Sequence, residues 1–115
     1  MARPGADEDV FRAVADPTRR AALEALGRRR ELPVTELAEE LGVGLPMLSR
    51  HLAVLRSAGL VTEQRSGRQR LYRLRPEPLR DLHDWAAIFS GFWTERIGDL
   101  RTYLDRQAQK TNERE

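Results

Sequence analysis

The chain contains no cysteine, which excludes disulfides, thiolate metal ligands, redox sensing and cysteine nucleophiles together. Lysine is nearly missing as well: Lys110 is the only one, so arginine carries the basic character. There are two histidines, His51 and His83. They fall on separate predicted elements with no paired nucleophile, so no catalytic set is present and the chain reads as a non-enzyme. No apolar run approaches the roughly 20 residues that span a bilayer. Residues 1–10 are acidic and lack the apolar stretch of a signal peptide. The expected compartment is therefore the cytoplasm, with no membrane partner.

What is present is an ordinary globular balance, 40% hydrophobic and 33% charged over 115 residues. That length suits one core. The expected organisation is one domain over residues 1–106 and a polar, flexible tail over 107–115. A net charge of +2 is too small to point to nucleic acid by itself, but the distribution is uneven. Residues 43–75 hold seven arginines (Arg50, Arg56, Arg65, Arg68, Arg70, Arg73, Arg75) against a single acid, Glu63. This is either one positive face or the solvated arginine-rich surface of a high-GC genome.

Helical signals fill the first half. Val10, Phe11 and Val14 space one face of a helix over 7–15. Asp16 followed by Pro17 is an N-cap with proline in the first turn, opening a helix over 17–27. Residues 32–34 read as an extended link. A short helix over 35–41 carries Leu37, Ala38 and Leu41 on one side and stops at Gly42. The next helix spans about 45–58, with Leu48, Leu52 and Leu55 inward and Gly59 ending it. Two short helices joined by a glycine-containing turn form a helix-turn-helix, whose second helix enters the major groove. From Leu60 the period changes, and 60–64 and 69–74 read as strands around the basic tip Arg65-Ser66-Gly67-Arg68. A hairpin behind a recognition helix is a wing.

After Pro76-Glu77-Pro78, a long helix is expected from Pro78 to about Arg106. Leu79, Leu82, Trp85, Ala86, Phe89, Phe92, Trp93, Ile97, Leu100 and Leu104 recur in steps of three and four. Burying so many large side chains at about 1.5–3 kcal/mol each asks for a partner surface, which a second copy supplies. The fold class is thus mainly α with a small hairpin: a winged helix-turn-helix of about five helices plus wing.

Three segments, in order, resemble the ArsR/SmtB winged-helix repressors over roughly residues 10–104. They are the run from Phe11 through Asp16-Pro17-Thr18-Arg19-Arg20, then Glu36-Leu37-Ala38-Glu39-Glu40-Leu41-Gly42, then Ser49-Arg50-His51-Leu52 on to Gly59-Leu60-Val61. Gly67-Arg68 and Tyr72 of the wing add to them. The resemblance implies a homodimer with Val10, Phe11, Trp85, Phe89, Phe92, Trp93, Ile97 and Leu100 at the interface. It also implies repression through an inverted-repeat duplex operator, possible autorepression included, with half-sites about one helical turn apart or a multiple of it. Leu45, Pro46, Met47, Ser49, Arg50 and His51 lie in the N-terminal turns of the recognition helix, within reach of base edges. His51 is open between base reading, a phosphate contact and packing against the hairpin. Arg65, Ser66, Arg68 and Arg70 of the wing suit phosphate or minor groove. Relatives often carry serine and glutamine at the positions of Gly44 and Leu45, and threonine at Met47, so the operator does not carry over.

The family's metal-sensing residues are also absent. The cysteine pair of such members falls at Pro33-Val34-Thr35. Asp81-x-His83 looks like half of a second family site, but Thr94 and Ile97 stand where it would be completed, and a register counted from Tyr72 gives Pro76, Pro78, Phe89 and Phe92. No metal and no cofactor are expected. Two alternatives remain: a regulator whose aromatic last helix binds a small apolar molecule or partner protein, and a low-specificity architectural DNA binder.

Overall fold

The computed structural model describes residues 6–93 and 101–108. The chain falls into two compact units, residues 1–82 and 83–115. The first begins with α1 (Ala6–Ala13) and α2 (Pro17–Arg29). Asp16 caps α2 as its sequence predicts, its carboxylate accepting the Arg19 N–H at 3.0 Å. That bond, then the neighbouring His51, the Thr18 backbone N–H and the Arg19 charge, hold the Asp16 carboxyl below its ordinary value against the opposing effect of burial. α2 closes on Arg30, at φ 67°, the only non-glycine residue with positive φ among those described.

The link expected at 32–34 is a strand, β1 (Glu31–Pro33), and it leads without a loop into α3 (Val34–Leu41). Gly42 adopts the left-handed conformation (φ 67°, ψ 34°) that ends α3, which a side chain would strain. α4 (Leu45–Ser57) follows, and its Leu48, Leu52 and Leu55 are fully buried. With Leu23 and Leu26 of α2, Leu37 of α3, and Leu32, Leu60, Val61 and Tyr72 they make one core. Val10 of α1 is also fully buried, and α1 packs against α4.

β2 (Val61–Ser66) and β3 (Gln69–Leu74) form the wing, and β1 pairs antiparallel with the other edge of β3, giving the strand order β1-β3-β2. The hairpin is tighter than its sequence predicts. Arg65 and Ser66 extend β2, leaving Gly67 and Arg68 as the whole turn. Gly67 at φ 64° in its first position fits a two-residue turn with glycine leading, whose twist matches that of the strands.

α5 (Leu79–Ala87) starts one residue later than expected, and Leu79 packs on the core. The predicted helix to Arg106 is not continuous. Residues 88–89 are a turn, in which the Ile88 and Phe89 N–H groups bond three residues back to Trp85 and Ala86. Ile88 and Phe89, at the turn itself, are both weaker helix formers than the alanines before them. Helix resumes over 90–93 and is seen again over 101–108, so Gln107 and Ala108 belong to a helix rather than to the expected tail. Ile97 and Leu100 lie outside the described residues. Trp85 and Phe89 meet edge to face, with centroids 5.5 Å apart. With Ile88, Phe92 and Trp93 they remain 46–74% exposed in the single chain.

Candidate nucleic-acid interface

α4 is pinned from behind by its leucines, so its first turns face outward. Leu45 and Met47 are 45% and 47% exposed, and Pro46, Ser49 and Arg50 are exposed beside them. Among the described residues Arg50 has no side-chain hydrogen bond or ion pair within the chain, which leaves its guanidinium available for the bidentate geometry that reads guanine.

His51 is placed differently from its neighbours. Its side chain is only 16% exposed, with Nδ1 3.2 Å from Arg19 Nη1 and 3.9 Å from Asp16 Oδ2. Arg19 in turn donates from Nε to the Ala13 carbonyl at 2.7 Å and from Nη2 to the Arg12 carbonyl at 3.1 Å. Through Arg19 the histidine ties α4 to the start of α2 and the end of α1. Asp16 and Arg19 were visible in the sequence as a cap and a family motif, but nothing local linked them to His51, 32 positions beyond Arg19.

The wing supplies the second part of the surface. Arg65, Ser66, Arg68 and Arg70 are all exposed. Arg65 and Arg70 are direct cross-strand partners, an arrangement of like charges that an anion relieves. Glu63 lies on the same strand face. Its Oε2 accepts from Arg56 Nη1 at 2.7 Å and from the Tyr72 hydroxyl at 2.9 Å, and its Oε1 is 3.8 Å from Arg70 Nε. Glu63 was missed as a site residue, although its being the lone acid in the basic stretch was a usable signal.

Burial, then the hydrogen bond to Glu63 and the charge of that carboxylate, raise the Tyr72 phenol above its ordinary value, against the smaller pull of Arg70 and Arg56. A phenol whose folded value is raised adds stability that is complete below about pH 10 and lost as pH climbs through the folded value. An alkaline absorbance titration of the wild type minus Tyr72→Phe is expected to show one phenol ionising above about 10. A midpoint at or below that value would contradict the contact.

Among the described residues neither histidine belongs to a metal-ligand group. His83 is exposed, 3.4 Å from the neighbouring Asp84, and among the described residues no three His, Asp or Glu converge. Among the same residues no helix is long and apolar enough to cross a membrane.

A buried-back helix with an open N-terminal face, preceded by a glycine turn and followed by a cationic hairpin, defines a winged helix-turn-helix DNA-binding protein. Residues 16–63 match the family described as bacterial regulatory protein, arsR family. The HTH-type transcriptional regulator Rv2034 of Mycobacterium tuberculosis is 37% identical over 102 residues, covering 89% of this chain and 92% of that protein. The transcriptional repressor SdpR of Bacillus subtilis is 32% identical over 81 residues, covering 70% and 89%. The crystal structure of an ArsR family transcriptional regulator, RHA00566, is similar with a TM-score of 0.69 and 34% identity, over 82% of this chain and 97% of that one. The chain belongs to the ArsR family of helix-turn-helix transcriptional regulators.

Proposed function

We propose that the chain acts as a homodimeric, sequence-specific repressor that occupies an inverted-repeat operator and responds to no metal. The observation that carries this reading is the surface formed by the first turns of α4 beside the arginines of the wing. Leu45, Pro46, Met47, Ser49 and Arg50 meet base edges, the two large apolar side chains being suited to thymine methyls. Arg65, Ser66 and Arg68 hold phosphates, with Arg70 shared between phosphate and Glu63. His51 positions the helix. The exposed aromatics from Trp85 to Trp93 support a second copy as partner, which would set half-sites about one helical turn, or a multiple of it, apart. Of the two α1 residues assigned to that interface, Phe11 is half buried and keeps surface for it, whereas Val10 is spent on its own core. The absence of cysteine and the solvated His83 support a regulator without a metal site, working in the cytoplasm as the composition suggests.

Footprinting on the DNA upstream of the protein's own gene tests the reading, and a protected inverted repeat is expected. Equal affinity for scrambled duplex at physiological salt would reject it in favour of an architectural binder. Arg50→Ala should cost about 1–3 kcal/mol and relax the preference at one position of each half-site, whereas Arg68→Ala should weaken all sequences alike and lower the salt slope by about 1. Identical, uniform effects of the two changes would overturn the division of roles.

A further inference from the structure

We infer that Glu63 is an internal stand-in for a DNA phosphate, and that by occupying Arg56 and Arg70 it suppresses binding to non-cognate DNA and so sets the protein's specificity. The inference rests on the proposal that α4 and the wing meet DNA. Glu63 is the only acid among residues 43–75, and it is paired with both Arg56 and Arg70. One carboxylate oxygen takes a hydrogen bond from Arg56, on the last turns of α4, and the other lies beside Arg70 of the wing. The Tyr72 hydroxyl, donating to Oε2 from a buried ring, fixes the carboxylate in place. The Glu63 side chain is 22% exposed while both arginine side chains remain more than half exposed, so the two cations face solvent with one of their two charges already balanced. Beside them is a small cleft of about 160 Å³, reached by Ser49 of α4.

Binding without sequence preference depends on how many phosphates are neutralised, each adding about 0.9 to the slope of log affinity against log salt. A protein on random DNA can settle wherever a free arginine finds a phosphate. On its operator the base contacts fix the register, and an extra cation gains only if a phosphate already lies beside it. Holding two arginines on an internal carboxylate therefore weakens random binding more than operator binding. It also relieves the repulsion between Arg70 and Arg65 across the hairpin.

The test measures anisotropy of the full-length protein on a scrambled duplex and on the site recovered by selection from random duplexes, each over a range of salt. Glu63→Gln is expected to tighten scrambled-duplex binding about tenfold, to steepen its salt slope by about 1–2, and to tighten the selected site less. Adding Arg56→Gln to Glu63→Gln should take back about 1 of that slope, while Arg56→Gln alone lowers the wild-type slope by less than Arg68→Ala does. An unaltered slope in Glu63→Gln, or a slope lowered by Arg56→Gln alone as much as by Arg68→Ala, would overturn the inference, and the second result is readable even if Glu63→Gln does not fold. Wild-type protein that selects no site refutes the operator reading instead.

Discussion

Leu52→Ala should lower the unfolding free energy by about 2–5 kcal/mol, a large part of the 5–15 kcal/mol typical of a domain. Leu52 is fully buried at the middle of α4, in the core shared with α2 and α3. Truncation removes its apolar transfer energy and leaves a cavity among leucines held by three helices and the sheet, with little freedom to collapse. Leu45→Ala and Met47→Ala on the same helix should stay within about 0.5 kcal/mol, because those side chains already face solvent. Denaturant unfolding at one fixed protein concentration checks both, a condition that matters if the chain associates. A loss below about 1 kcal/mol at Leu52 would mean that α4 is not anchored as described. The same helix should therefore separate two phenotypes: inward leucines govern folding, and Leu45 and Met47 govern DNA.

The buried and exposed faces of α4 were legible in the sequence because the helix is specified locally. Gly42 ends one helix, Pro46 opens the next, and leucines at 48, 52 and 55 mark the inner face. Leu60 and Val61, then Gly67, announced the wing in the same way. What failed to show depended on partners far along the chain. β1 is three residues long and includes a proline, too little to read as a strand, and it exists through pairing Glu31, Leu32 and Pro33 with Arg73, Tyr72 and Leu71. The break at residues 88–89 was masked by apolar spacing that runs straight through it, since periodicity records which face is apolar and not whether each residue favours helix. His51 was left open because its outcome was decided by Arg19 and Asp16, on another helix. Glu63 acquires its role from the cross-strand register and from where α4 ends, neither of which has a local signature.

Placing charge on the aromatic segment should have the largest effect on function. Phe92 and Trp93 are 62% and 48% exposed in the single chain, so replacing both by aspartate costs the isolated fold little. In the proposed dimer the same positions are covered, and two unpaired carboxylates per subunit, four per interface, would be driven into an apolar contact. The expected result is a monomer at micromolar concentration by sedimentation, with a melting profile that keeps its cooperative transition. Operator affinity should then fall about 100-fold or more, because joining two recognition helices in one particle makes the second half-site contact intramolecular, and a monomer loses that gain. Affinity for a single half-site should hold, since α4 and the wing are untouched. A double variant that still sediments as a dimer would remove this segment from the interface. A monomer with undiminished operator affinity would show that dimerisation does not couple the two half-sites.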